Sequence, residues 1–154
     1  MSVSLDTSLG RLKIQLFYDE CPHGCENFLA QCAQDNYDGI KAKRSEKGFI
    51  IQFPSKAPSI HPESGVETRP TIKHQRGTIS LTKPGGSGFY FAYARQPDLD
   101  GNKTVFGRII EGLDVLDKME EAQTENNKPV TDITIDDTEI HFNPFALRSV
   151  GQLK

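Results

Sequence analysis

The order of strand-like and helix-like segments restricts the fold of this chain more than any single residue does. Leu12, Ile14 and Leu16 alternate with Lys13 and Gln15, the period-two pattern of a strand with one buried face. Residues 3–17, which include this stretch, are predicted to form two strands around a turn. Further strand patterns are present in the following ranges: 77–82, 89–94, 104–110 and 132–142. The chain is therefore predicted to be mainly β.

Two stretches carry a helical spacing of apolar residues. Residues 21–34 place apolar side chains at i, i+3, i+4 and i+7, namely Cys25, Phe28, Leu29 and Cys32. Residues 113–121 are predicted to turn three side chains inward: Leu113, Leu116 and Met119. Two helices cannot cover both faces of a sheet with this many strands. The natural packing is a closed or nearly closed antiparallel barrel capped by the two helices.

The length and charge of the chain exclude several broad classes of protein. Its 154 residues suit one domain with a substantial core, and no repeat or linker divides it. The formal net charge is −3, whereas a nucleic-acid binder normally has a basic excess. No apolar run approaches the roughly 18 residues of a membrane span, and no secretion signal is evident. We therefore expect a nuclear or cytoplasmic protein without direct nucleic-acid or membrane binding.

The familiar catalytic and metal-binding patterns do not occur. The four histidines are dispersed without metal-ligand spacing: His23, His61, His74 and His141. Neither a hydrolase with a cysteine nucleophile nor a glycosidase with paired carboxylates has a convincing set of residues. The three cysteines, Cys21, Cys25 and Cys32, are predicted to be reduced and mostly packed, with Cys21 at the helix entrance the candidate for a reactive thiol. We expect no cofactor and no metal.

One reaction needs none of those groups, and residues 43–53 carry the side chains that it requires. Rotating an X-Pro peptide bond has a barrier of about 20 kcal/mol and breaks no bond. An apolar pocket that grips the ring, with a donor to the prolyl nitrogen, favours the twisted state. Arg44 would be that rigid, charged donor, Phe49 the pocket wall and Gln52 an amide for a carbonyl. The alternative is that Arg44 is simply an exposed cation before a buried strand.

Several segments resemble the cyclophilin family of peptidyl-prolyl cis-trans isomerases. They are ENFLAQC (26–32), GFIIQ (48–52), KHQRGTISL (73–81), QPDLDGNKTVFGRIIEGLDVLDKME (96–120) and DITIDDTEIHFNPFA (132–146). They are spread over almost the whole chain in the family's order, and the sequences of the last two are most similar to the small single-domain cyclophilins associated with the spliceosome. The resemblance implies a closed eight-stranded antiparallel β-barrel capped by two α-helices. It places the cyclophilin-like domain at 1–146 and a C-terminal tail at 147–154.

The resemblance also implies which residues form the site. Arg44 matches the catalytic arginine, Phe49 the phenylalanine under the proline ring, Gln52 the glutamine that binds the substrate backbone and steadies the arginine, and Leu99 a pocket leucine. Further positions depart from the family pattern while remaining predicted substrate contacts. Ile50 replaces a methionine, Tyr90 a phenylalanine, Asp98 a tryptophan or histidine, Lys103 a histidine, and Thr82 and Lys83 an Ala-Asn pair whose backbone binds the peptide.

Two functions follow as alternatives. The first is an isomerase, weakened by these departures, that acts on exposed X-Pro segments as a monomer without a cofactor. The second is a non-catalytic interaction module in a nuclear assembly such as the spliceosome. Since Asp98 stands where the family usually has an indole, binding of the cyclic peptide ciclosporin is expected to be weak or absent.

Overall fold

The structure, a computed structural model, describes residues 1–141, and the predicted end of the domain at 146 and the predicted tail 147–154 lie outside this range. It contains two α-helices, α1 (Pro22–Ala33) and α2 (Leu113–Glu121), and a short 3₁₀ helix, Pro97–Leu99. The strands are β1 (Ser2–Thr7), β2 (Gly10–Leu16), β3 (Ile40–Lys41), β4 (Arg44–Glu46), β5 (Ile50–Phe53), β6 (Thr78–Leu81), β7 (Phe89–Ala92), β8 (Val105–Glu111), β9 (Thr124–Glu125), β10 (Lys128–Pro129) and β11 (Thr134–Ile140). The mainly β class with two helices is confirmed.

The strand arrangement differs from the closed eight-stranded barrel that was predicted. Nine strands form one curled antiparallel sheet in the order β3-β11-β1-β2-β8-β6-β7-β5-β4, and β9 and β10 form a separate ribbon. Within residues 1–141, the end strands β3 and β4 do not pair with each other. The two residues between them, Ala42 and Lys43, bond to opposite ends of the sheet instead. The N–H of Ala42 donates to Ile133 O, just before β11, at 2.8 Å, and the N–H of Lys43 donates to Gln52 O on β5 at 2.8 Å. One bent segment thus contacts both ends of the sheet.

The two helices cover the sheet largely as the apolar spacing predicted. The predicted apolar side chains of α1 are all buried: Cys25, Phe28, Leu29 and Cys32. In α2, Leu116 and Met119 are fully buried, but the prediction for Leu113 was wrong, because this first residue of the helix is 48% exposed and Val115 is buried in its place. No helix among residues 1–141 has the length and apolar character needed to cross a membrane.

An aromatic cluster fills the centre of the core. The ring of Phe89, which is fully buried, lies 5.0 Å from Tyr37, 5.5 Å from Phe53, 5.7 Å from Phe28 and 5.8 Å from Phe91, measured between centroids. Most of these contacts are edge-to-face, the geometry that aromatic pairs prefer. Because strands β5 and β7 also carry pocket residues, this cluster supports the site from beneath.

The cysteines are all free and buried, as expected for reduced, packed thiols. The prediction that Cys21 is the reactive one was wrong. Its Sγ is fully buried and lies 3.2 Å from Val105 O. Burial raises the pKa of the Cys21 thiol to about 12, so little of the reactive thiolate forms near neutral pH.

The long proline-rich loop between β5 and β6 is fastened to helix α1. Glu67 accepts hydrogen bonds from the N–H groups of His23 (3.1 Å) and Gly24 (2.8 Å), which satisfies the free donors at the start of the helix. Gln31 donates to Pro58 O at 3.0 Å, and His61 lies 2.6 Å from Glu26. These contacts with α1 fix the course of the loop up to the segment before β6.

Candidate active site

Strand register brings the predicted catalytic side chains into one row. Arg44 on β4 is the cross-strand partner of Gln52 on β5, and Gln52 is the partner of Tyr90 on β7. Residues directly opposite each other in antiparallel strands project from the same face of the sheet. Three neighbouring strands thus present Arg44, Gln52 and Tyr90 side by side.

This row borders a cavity of about 190 Å³. Eight of the ten predicted site residues line it: Arg44, Phe49, Ile50, Gln52, Thr82, Tyr90, Leu99 and Lys103. The other two, Lys83 and Asp98, are exposed and do not line it. Apolar side chains beside a small number of polar groups are typical of ligand pockets. The assigned roles of these residues remain predictions.

Arg44 is held by a carboxylate that the sequence analysis did not single out. Its Nη2 lies 2.5 Å from Glu46 Oε2, and its guanidinium lies over the Phe49 ring, 5.2 Å from the centroid. The side chains of Arg44 and Glu46 are 44% and 39% exposed. The resemblance gave the steadying role to Gln52, but within the described residues the Gln52 side chain forms no hydrogen bond with Arg44. Residues i and i+2 of a strand share a face, so Glu46 could have been found from the sequence.

Lys103 closes one side of the cavity. Its Nζ donates to the carbonyl oxygen of Thr82 at 2.8 Å, while the N–H of Thr82 donates to Gly88 O at 3.0 Å. Both backbone groups of Thr82 therefore already have partners within the chain. By the resemblance, this backbone is a docking place for peptide, so a peptide that binds here has to compete with Lys103 for the Thr82 carbonyl oxygen.

Tyr90 has a buried partner for its hydroxyl group. The phenol oxygen lies 2.7 Å from His74 Nε2, and His74 Nδ1 lies 2.9 Å from Asp100 Oδ1. Burial lowers the pKa of His74, which is fully buried, even though Asp100 opposes this. Burial would raise the pKa of Asp100, but hydrogen bonds from Arg95 and His74 lower it to about 2.

These two shifts predict a loss of stability in acid. Because the pKa of His74 is lower in the folded chain, the unfolded chain takes up a proton on this imidazole at a higher pH than the folded chain does. The free energy of unfolding therefore falls as the pH drops below the ordinary value of 6.5. Asp100 adds a further loss as the pH falls from 3.8 towards about 2. We expect the melting temperature to fall as the pH drops below 6.5, and to fall less in His74→Gln. An identical pH dependence in the variant would contradict the role of His74.

The geometry agrees with the comparisons with known proteins. Residues 2–140 match the model of a family described as cyclophilin type peptidyl-prolyl cis-trans isomerase/CLD. The chain belongs to the cyclophilin family. The chain is 40% identical to the Arabidopsis thaliana protein named peptidyl-prolyl cis-trans isomerase CYP18-1, over 95% of this chain and 99% of that protein. It is 38% identical to the Homo sapiens protein named peptidyl-prolyl cis-trans isomerase-like 3, with the same coverage.

A solved cyclophilin has the same fold. The Cryptosporidium parvum cyclophilin type peptidyl-prolyl cis-trans isomerase, crystallised in the presence of the dipeptide Ala-Pro, is 33% identical, with a TM-score of 0.87 over 93% of this cyclophilin and 100% of that chain. The predicted family and its isomerase class are thus confirmed.

Sequence reasoning missed His74 and Asp100, which lie behind the pocket residue Tyr90 of this cyclophilin and are joined to its hydroxyl group by hydrogen bonds. They lie 16 residues before and 10 residues after Tyr90, in loops without a periodic pattern. Only the folded chain brings them to the back of the pocket wall. No metal-binding group of three or more His, Cys, Asp or Glu side chains occurs among residues 1–141.

Proposed function

We propose that this cyclophilin accelerates rotation about X-Pro peptide bonds in protein segments, with Arg44 as the donor to the prolyl nitrogen. The observation that carries this proposal is the shared cavity of Arg44, Phe49, Gln52 and Tyr90. A protease-coupled assay on an X-Pro peptide tests it: isomerisation faster than in buffer supports the proposal, and an unchanged rate refutes it.

The mechanism follows from the electronic change during rotation. The planar amide delocalises the nitrogen lone pair, while the twisted state leaves that pair on a pyramidal nitrogen. A guanidinium that donates to this pair stabilises the twisted state more than the ground state, which is the condition for catalysis. Phe49, Ile50 and Leu99 would hold the ring, and the amide of Gln52 would hold a carbonyl of the peptide.

The activity is proposed to be weaker than the family's best. Glu46 engages Arg44 at 2.5 Å, and Lys103 engages the Thr82 carbonyl at 2.8 Å, so substrate has to compete for both groups. Each lost contact worth about 1.4 kcal/mol in the transition state lowers the rate roughly tenfold. Neither pair has to break fully, because Arg44 has further N–H donors and the Thr82 carbonyl oxygen has a second lone pair.

Lys103 is expected to favour peptides with an acidic residue beside the proline. Lys103 lines the cavity together with Arg44, whereas Lys43, the residue before Arg44, does not line it. Replacing Lys103 by methionine removes the charge and keeps the length of the side chain. We expect the ratio of kcat/KM for Glu-Pro over Ala-Pro peptides to fall about threefold, and a ratio that does not change would contradict this preference.

Ciclosporin is expected to bind poorly. Asp98, at the position of the family's indole, is exposed and carries a charge that an apolar cyclic peptide cannot satisfy. Calorimetry should give a dissociation constant well above the micromolar range, and Asp98→Trp should tighten it. Sub-micromolar binding by the unmodified chain would contradict the prediction.

A second candidate function is that of a non-catalytic docking module in a nuclear assembly such as the spliceosome. The observation that favours it is that Arg44 and the Thr82 backbone already have partners within the chain. A nuclear or cytoplasmic location and a monomeric state belong to the same proposal. Stoichiometric co-purification with a large complex, unchanged by Arg44→Ala, would support the docking function. If the protein co-purifies with no complex, the docking function is refuted and the isomerase function is the one that remains.

A further inference from the structure

A chain of four polar side chains leads from the pocket wall to the protein surface. The Tyr90 hydroxyl lies 2.7 Å from His74 Nε2, His74 Nδ1 lies 2.9 Å from Asp100 Oδ1, and Asp100 Oδ2 lies 2.5 Å from Arg95 Nη2. Tyr90 and His74 are buried, whereas the Arg95 side chain is 42% exposed. We call these four residues the Tyr90 relay.

The hydrogen bonds of the Tyr90 relay have defined directions. Asp100 is ionised, since its pKa is about 2, and therefore accepts from His74 Nδ1–H. Burial disfavours the charged imidazole, so a single ring proton resides on Nδ1 and Nε2 is left as an acceptor. Burial also raises the pKa of Tyr90 to about 12, which keeps the phenol protonated. Tyr90 O–H thus donates to His74 Nε2.

His74 is held by further hydrogen bonds of its own backbone. Its backbone N–H donates to Asp100 Oδ1 at 2.8 Å, and its carbonyl oxygen accepts from Arg95 Nη1 at 3.0 Å. Together with the bond from Nδ1, these contacts fix the backbone and the ring of His74 against Asp100 and Arg95. The acceptor presented to Tyr90 is therefore in place before any ligand binds, which is the arrangement that a supporting group of a binding site needs.

We infer that His74 is a positioning residue of the prolyl pocket, which fixes the Tyr90 ring as a pocket wall by accepting the proton of its hydroxyl. This inference rests on the proposed function, in which the cavity binds the proline ring. The family's phenylalanine at this position has no such bond available, so the anchor comes from this chain's own tyrosine. Because the ring contacts the proline in both the ground and the twisted state, the anchor acts on KM more than on kcat.

Two substitutions of His74 separate its two ring nitrogens. In His74→Gln, the side-chain amide reaches the place of Nε2 and can accept from Tyr90. In His74→Asn, the shorter amide reaches the place of Nδ1 and serves Asp100 alone. Both variants alter the same buried residue, so a purely structural role for His74 predicts similar losses in the two. A positioning role predicts that only the asparagine variant impairs the pocket.

Tyr90→Phe supplies the matching change on the other partner. It keeps the ring and removes only the hydroxyl. Because Tyr90→Phe and His74→Asn remove the same hydrogen bond, their effects should not add in the double variant. Tyr90→Phe is also the mildest of these substitutions, so it tests the inference even where a variant of His74 does not fold.

The experiment measures calorimetric dissociation constants and KM for an Ala-Pro tetrapeptide with all four variants. We expect about fivefold weaker binding for His74→Asn, Tyr90→Phe and their double variant, little change in kcat, and His74→Gln within about twofold of the unmodified chain. Equal losses in His74→Gln and His74→Asn, additive losses in the double variant, or undiminished binding by Tyr90→Phe would overturn the inference.

Imidazole ¹⁵N signals provide a readout that does not depend on activity. His74 should show a protonated Nδ1 and a bare Nε2, and Tyr90→Phe should shift the Nε2 signal. An Nε2 signal that Tyr90→Phe leaves unmoved would overturn the relay. If the unmodified chain binds no Ala-Pro peptide, the proposed function fails and the positioning role falls with it. If Tyr90→Phe shifts the Nε2 signal but binds the peptide as tightly as the unmodified chain, only the positioning role is overturned.

Discussion

Replacing Arg44 by alanine is expected to lower kcat/KM for an X-Pro peptide by about a hundredfold, the usual effect of removing a donor that acts in the transition state. Arg44 is the permanently charged donor in the row with Gln52 and Tyr90, on the wall of the cavity that would hold the proline ring. The loss should appear in kcat more than in KM, because the hydrogen bond to the prolyl nitrogen forms only as the amide twists. Stability should change little, since the ion pair with Glu46 is partly exposed.

Two control variants distinguish the catalytic role of the Arg44 guanidinium from the general effect of a positive charge. Arg44→Lys keeps the charge but loses the planar fork of donors, so most of the loss should persist. Arg11→Ala removes an arginine that is likewise ion-paired at the surface, with Asp6 and Glu139, but lies outside the pocket. It should leave kcat/KM unchanged. Full activity in Arg44→Ala would refute the assignment of Arg44.

Replacing Phe89 by alanine is expected to lower the free energy of unfolding by about 3–5 kcal/mol. The ring is fully buried and meets four other aromatic rings at 5.0–5.8 Å between centroids. Its removal leaves a cavity that the two strands β5 and β7 cannot close without shifting their pairing. Denaturant unfolding, analysed with a common slope, provides the measurement.

Phe49→Ala is the matched control for Phe89→Ala. Phe49 is only partly buried and lines the prolyl cavity, so its truncation should cost much less stability and much more activity. The pair of variants therefore separates the core from the site. A smaller stability loss for Phe89→Ala than for Phe49→Ala would contradict the described core.

The extent to which sequence predicts this fold depends on how local the determining interactions are. The strands around residues 3–17 and the helix α1 follow from their apolar periodicity, which acts within one element. The change of pairing partner at Ala42 and Lys43 depends on β11, which lies about ninety residues further along the chain. No local pattern could reveal it. Leu113 also satisfied the helical spacing, yet a residue at the start of a helix has one side open to solvent.

The site was predictable to a similar degree. Arg44 lies on β4, Phe49 in the turn after it and Gln52 on β5, and it was the resemblance of the surrounding segments to the family that carried their prediction. Glu46 was accessible from strand geometry. His74 and Asp100 reach Tyr90 only through the path of two loops, and hydrogen bonds between loops leave no period in a sequence. Lys103 was predicted beside the pocket from the resemblance, but its bond to Thr82 O required the structure.

The most direct test of the central claim is two-dimensional exchange NMR of an Ala-Pro peptide with a catalytic amount of this cyclophilin. The method observes the cis and trans signals themselves and needs no coupled protease. We predict exchange cross-peaks with the unmodified chain at mixing times where the free peptide gives none, and their loss with Arg44→Ala. Exchange no faster than in buffer, or the same exchange with Arg44→Ala, would contradict the account.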